Sequence, residues 1–214
     1  MRPEINSDFA YKQLKNFWNK SWSRPDYNPT WRISKIPHEL QVAVDTGWFL
    51  PHSSLLDIGC GSGEIAAGLA EKNFNVLGID WAEAAIQKAK LKQGEVQGKL
   101  TFKTIDICRE KAKYPEFDIL IDRGCFDGLP KAFYSDYANT VASYAKSGAK
   151  FLLISSFNKG AKSEVEADDK LREDMINYIK AVFIPLFEII KIETTVIEKR
   201  PVSVPALAVW MIRH

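Results

Sequence analysis

The chain has 214 residues, 46% hydrophobic and 26% charged, the make-up of a single globular domain with a substantial core. Its 29 basic and 27 acidic side chains leave a formal net charge of +2, far from the basic balance of a protein that grips a phosphate backbone, so nucleic acid is not expected as a partner. Cys60, Cys108 and Cys125 stand far apart with no Cys-x-x-Cys pair, which excludes a disulfide framework and gives no metal site.

The opening residues contain no apolar core of signal-peptide length, and no run approaches the roughly 20 apolar residues of a membrane helix, so a cytoplasmic protein with no membrane partner is expected. Residues 1–50 read as a helical segment rich in aromatics, with Phe17, Trp18, Trp22, Tyr27 and Trp31 interrupted by Pro25, Pro29 and Pro37. Helical periodicity over 38–50 ends near Gly47, and Pro51 turns the chain into a first strand at Leu55–Ile58. A core domain at 51–214 then follows, with residues 1–50 as a segment closing over its site.

From the first strand onward, strands and helices alternate. A helix at Glu64–Lys72 leads to a strand at 75–80, and a helix at 82–92 leads to a strand at 99–107. A fourth strand at 117–122 precedes a helix at 134–146, and a fifth at 149–157 precedes a charged helix at 161–184. Lys159, Lys162, Lys170, Glu164 and Glu166 read as its solvated face. The chain closes with strands at 187–197 and 206–214 and no helix between them. Strand–helix alternation gives a parallel sheet covered on both faces, and the final helix-free pair demands one antiparallel strand. The fold class is therefore α/β: a doubly wound, mostly parallel, seven-stranded sheet with one antiparallel strand near the C-terminus.

The stretch "LLDIGCGSGE" at 55–64 places Gly59, Gly61 and Gly63 directly after the first strand, where a bare backbone lets a ligand approach the next helix's N-terminal N–H groups. The dinucleotide fingerprint needs a third glycine where this chain has Glu64. Asp80 ends the second strand about 20 positions after the first glycine, the spacing of a ribose-hydroxyl acceptor. Asp57, Asp80, Asp106 and Asp122 all fall near strand ends and are expected to line one crevice. A negative rim suits a cationic nucleoside better than a pyrophosphate, and S-adenosylmethionine carries the ribose, amine, ammonium and sulfonium that such a rim would receive.

"LLDIGCGSGE", "VLGIDWAEAAIQKAK" and "FKTIDI", in this order and spacing, resemble the class I S-adenosylmethionine-dependent methyltransferases. "FDILIDRGCFDGLP" at 117–130, with "FWNKSW" and "NPTWRISKIPHEL", is similar to the thiopurine and thiol methyltransferase branch. The resemblance implies S-adenosylmethionine as cofactor. It implies that Asp57, Gly59, Cys60 and Gly61 form the cofactor loop and that Asp80 holds the ribose. It further places Trp81 on the adenine, with Asp106 and Ile107 at the adenine edge. Asp122 and Arg123 would stand beside the methionine end, with Trp18 and Trp31 closing the site from above.

Related groups often carry His where this chain has Asp127, which leaves Asp127 as a weak catalytic-base candidate. A thiol or another soft nucleophile on a small molecule is the expected acceptor, since a thiol of pKa near 8.5 needs almost no base. The alternatives are a protein acceptor, a nicotinamide-dependent oxidoreductase and a binding module without catalysis.

Overall fold

In the computed structural model the described residues are 7–94, 96, 99–113, 116–158 and 168–214. The N-terminal segment supplies helices α1 (Ser7–Ser23) and α2 (His38–Asp45). The core continues as β1 (Ser54–Ile58), α3 (Glu64–Glu71), β2 (Asn75–Asp80), α4 (Glu83–Lys90), β3 (Leu100–Thr104) and β4 (Phe117–Arg123). After two short 3-10 turns come α5 (Tyr134–Tyr144), β5 (Ala145–Ser156), α6 (Asp169–Phe183), β6 (Phe187–Ile197) and β7 (Val204–Arg213).

One seven-stranded sheet runs in the order β3-β2-β1-β4-β5-β7-β6. Only β7 is antiparallel to its neighbours β5 and β6. Leu55 and Leu56 of β1, like Leu152 and Leu153 of β5, point to opposite faces, and each face carries its own core cluster. Burial is nearly continuous along β4 and β7 because both lie between other strands and under both layers; β6, an edge strand, is mostly exposed between its two buried ends. On α5, Tyr134, Tyr137, Ala138 and Val141 form the buried stripe at helical spacing.

The strand order reverses at β1: the chain steps outward through β2 and β3, then returns to lay β4 on the other side. Ile58 is in register with Ile79 of β2 and Asp122 of β4, so three strand ends open together at this switch point. In open α/β sheets the ligand crevice forms at such a place.

Several expected boundaries shift: the helix expected over 38–50 ends at Asp45, the fifth strand starts at Ala145 rather than 149 and the last at Val204 rather than 206, and two further shifts have a local cause. The third strand ends at Thr104 rather than 107, because the Asp106 carboxylate captures the Cys108 N–H at 3.2 Å and its carbonyl accepts from Arg109 and Glu110, which turns the chain. The sixth helix begins at Asp169, where Asp168 caps it by accepting the Leu171 N–H at 3.1 Å. Residues 161–167 of the expected helix, with Lys162, Glu164 and Glu166, lie outside the described residues, as does Lys159; Lys170 is exposed on α6. Among the described residues no helix is long and apolar enough to cross a membrane.

Helix α1 docks on the sheet through Tyr11, which is 1% exposed. Its ring stacks on Phe133 at 4.2 Å and meets Trp81 edge-on at 5.3 Å, while its hydroxyl donates to Asp106 Oδ1 at 2.5 Å. Lys15 Nζ reaches the other Asp106 oxygen at 2.7 Å. Tyr11→Phe keeps the ring and removes the buried hydroxyl, so a loss of about 1–2 kcal/mol is expected in urea unfolding, with weakened amide-exchange protection along α1.

Candidate active site

Above the ends of β1, β2 and β4 lies a cavity of about 300 Å³. The glycine turn forms its floor at one end. Gly59, Gly61 and Gly63 have φ of +69°, +54° and +79°, the left-handed region that favours glycine. A Cβ at Gly59 would sit 2.6 Å from Cys125 Cβ, and one at Gly61 would come 3.0 Å from the Trp22 ring. Sequence spacing and sterics thus agree on a backbone left bare.

Asp80 faces this turn from the end of β2. Its Oδ2 accepts the Gly61 N–H at 3.0 Å and its Oδ1 the Ala82 N–H at 2.8 Å. Both bonds lock the carboxylate in place while it remains part of the cavity wall. Trp81, Ile105 and Ile107 add an apolar side next to it.

From above, Trp18, Trp22 and Trp31 close the space, Trp18 and Trp31 meeting edge-to-face at 5.5 Å. The wall continues through Arg123 at the end of β4, through Gly124, Cys125 and Asp127 in the loop that follows, with Cys125 against Gly59, and through Ser156 at the end of β5. Arg123 donates to the Trp31 carbonyl and to the Glu198 carbonyl, each at 3.2 Å, and so ties the N-terminal segment to the β6–β7 loop.

Of the expected site residues, Trp18, Trp31, Gly59, Gly61, Asp80, Trp81, Ile107, Arg123 and Asp127 meet at this cavity. Four do not form its wall. Cys60 turns away toward Gly78, its Sγ 3.0 Å from where a Gly78 Cβ would be, and packs in the core beside the sheet. Asp106 is spent on Tyr11, Lys15 and the Cys108 N–H. Asp122 accepts from the Cys125 and Phe126 N–H groups at 2.8 and 3.0 Å and from the Tyr137 hydroxyl. Asp57 is buried under the turn.

Of the four acids expected at the rim, Asp80 alone lines the cavity, where Asp127 joins it. Loop N–H groups and tyrosine hydroxyls draw the Asp106 and Asp122 carboxylates inward, since a buried carboxylate must take its donors from the protein.

Glu64, which stands where a dinucleotide site would need glycine, accepts from Arg32 Nε at 2.7 Å and from the Ser62 hydroxyl, with Lys92 at 3.6 Å. A side chain at this position, held by those partners, occupies the place where the dinucleotide fingerprint needs a bare glycine, which disfavours the nicotinamide alternative.

Trp22, Ser156, Ile197, Lys199 and Val204 also line the cavity, and sequence reading did not single them out for the site. Ser156 alone carried a usable signal, as the last residue of a parallel strand. The others arrive from the N-terminal helix and the β6–β7 turn, and their place depends on how those segments fold back.

Sheet order and the glycine turn at the switch point are those of the class I S-adenosylmethionine-dependent methyltransferase fold. Within that class the chain belongs to the thiopurine S-methyltransferase family, whose family model matches residues 13–199. A 2-heptyl-1-hydroxyquinolin-4(1H)-one methyltransferase of Mycobacteroides abscessus is 30% identical over 135 residues, 62% of this chain and 58% of that protein. A ubiquinone biosynthesis O-methyltransferase of Hahella chejuensis is 27% identical over 170 residues, 76% of this chain and 67% of that protein.

The fold itself is shared with a protein whose structure concerns conversion of a disulfide bond into a thioacetal group during echinomycin biosynthesis. That comparison gives a TM-score of 0.73 at 22% identity over 95% of this chain and 92% of that one. The Burkholderia thailandensis 1,6-didemethyltoxoflavin-N1-methyltransferase, with bound 1,6-didemethyltoxoflavin and S-adenosylhomocysteine, gives 0.71 at 13% identity over 100% and 92%.

Burial pushes three carboxylates beneath the cavity above their ordinary value of 3.8: Asp57 to about 8, with Asp122 and Asp80 adding repulsion, Asp122 to about 7 and Asp80 to about 6. Between the ordinary and the folded values the native state holds protons that the unfolded chain has released, so stability falls as pH rises through that window. The ligand-free protein is expected to melt at a lower temperature at pH 8 than at pH 5.5, and Asp57→Asn should flatten that slope in paired calorimetric scans.

Proposed function

We propose that this protein transfers the methyl group of S-adenosylmethionine to a small-molecule acceptor at a soft nucleophile, a thiol being the class that fits best. The observation that supports it is a tryptophan-roofed cavity whose wall brings the glycine turn and Asp80 together with Arg123, Cys125 and Asp127. Asp80 is already oriented by two backbone donors, and its remaining lone pairs suit ribose hydroxyls. The bare backbone at Gly59 and Gly61 leaves room for the methionine end, and the apolar face of Trp81, Ile105 and Ile107 suits an adenine ring.

The sulfonium donor supplies a methyl group that is already activated. What the chain contributes is position and dryness: Trp18, Trp22 and Trp31 exclude water, and a single cavity holds donor and acceptor together. A thiol with pKa near 8.5 supplies enough thiolate at neutral pH to react without a dedicated base. Asp127, on the acceptor side, takes up a proton where the acceptor brings one. On this reading residues 1–50 act as the cover of the site and 51–214 as its base. The cavity, near the lower end of small-molecule sites, favours a small acceptor over a protein side chain presented on a folded surface.

Asp80→Ala is expected to weaken S-adenosylmethionine binding about 10- to 100-fold in titration calorimetry with the fold intact by circular dichroism. Unchanged affinity would remove the ribose assignment. With labelled cofactor and a panel of aryl and alkyl thiols, phenols and amines, methyl transfer should be fastest to the thiols. Asp127→Asn should lower kcat on thiols less than about tenfold, below the roughly 100-fold at which a general base's contribution begins. Transfer only to macromolecules in a lysate would overturn the small-molecule reading.

A further inference from the structure

Next to the cavity runs an open groove of about 1270 Å³, and Lys199 lines both spaces. One bank is the N-terminal strap around residues 28–36, the other is the β6–β7 loop at 198–203, and α3 forms the base. Its shape is held by contacts across it. The Arg200 N–H donates to the Thr30 carbonyl at 2.9 Å, Arg123 bridges Trp31 and Glu198, and Gly68 of α3 lies so close to Ile36 that a Cβ there would come within 3.0 Å.

The two spaces differ in chemistry. The cavity is roofed by indoles, whereas the groove carries Arg32, Lys35, Lys72, Lys199 and Arg200 against Glu64, Glu71 and Glu198. Arg32 and Lys92 neutralise Glu64, so cations outnumber the acids left on the groove. A formal charge of +2 on the whole chain makes this local excess a property of the groove and not of the surface at large.

We propose that the groove is a second subsite of the acceptor, and that the acceptor is an anion: an apolar head carries the nucleophile into the cavity while a carboxylate or sulfonate group stays in the groove beside Lys199. This rests on the methyl-transfer function proposed above for the place of the head, and extends it by assigning the acceptor's charge. Lys199, at the junction, is a specificity-determining residue; it attracts the anionic end and leaves the reacting atom to the cavity. The remaining cations, Lys35, Lys72 and Arg200, raise the local concentration of anions along the approach.

The test uses unreactive, product-like probes, so that it does not depend on turnover. In the presence of S-adenosylhomocysteine, 4-(methylsulfanyl)benzoate, 4-(methylsulfanyl)benzenesulfonate and the neutral 4-(methylsulfanyl)benzamide are titrated against tryptophan fluorescence, which Trp18, Trp22 and Trp31 report from the cavity itself. Both anions are expected to bind about tenfold more tightly than the amide, the scale of one well-placed charge contact, with the preference shrinking as salt is raised. Lys199→Glu should bring the ratio to about one or below, and Lys199→Arg should restore it.

A preference for carboxylate alone or sulfonate alone supports the subsite and names its anion. Equal binding of acid and amide, no binding of any probe, or a ratio indifferent to Lys199→Glu overturns it. A parallel titration with S-adenosylhomocysteine separates the two readings: if that ligand binds and the anion preference is absent, the subsite fails and the cofactor assignment stands. If that ligand does not bind, the cofactor assignment fails.

Discussion

A carboxylate held by backbone donors at the end of β2 is the constraint around which the site is organised. Asp80 can join the cavity wall only because the Gly61 and Ala82 N–H groups fix both of its oxygens without using all their lone pairs. Gly61 can offer its N–H there only because it sits at φ +54°, with Trp22 packed where a side chain would start. The turn, the carboxylate and the tryptophan roof are therefore one device. Each element lacks its function without the other two.

The same economy explains the other strand-end acids. Burial makes an unpaired carboxylate costly, so each is either satisfied by nearby donors or held protonated. Asp122 is satisfied by two loop N–H groups and Tyr137, which in turn fixes the loop that presents Arg123, Cys125 and Asp127. Asp106 is satisfied by Tyr11 and Lys15, and in this way it fastens the helix that carries Trp18 and Trp22 to the sheet. Acids expected at the rim instead position the elements that line the cavity. Asp57, whose Oδ2 has no hydrogen-bond partner among the described residues, is the one raised furthest.

The N-terminal segment and the β6–β7 loop converge on the sheet from opposite ends of the chain. Arg123, Arg200 and Arg32 join them to each other and to α3 through carbonyls and one carboxylate, so the roof is a set of polar ties laid over an apolar space. Hydrogen bonds to main-chain carbonyls depend on backbone position and tolerate many side chains, which lets a scaffold of this kind keep its cover while the lining varies.

Strand and helix alternation, the glycine turn and the spacing to Asp80 were all legible in the sequence, because each is set by local steric rules and by the two periodicities of burial. From the alternation followed the sheet with its single antiparallel strand, while the family was legible only through the resemblance of whole segments such as "LLDIGCGSGE" and "FDILIDRGCFDGLP". Which acids would face the ligand was not legible: the partner that claims Asp106 lies 95 residues away, and the one that claims Asp122 sits on a later helix. Nor was the presence of Trp22, Ile197, Lys199 and Val204 in the wall. A side chain's role is decided by the donors and rings brought within about 3–4 Å of it. For these residues, only the folded chain brings those neighbours into reach.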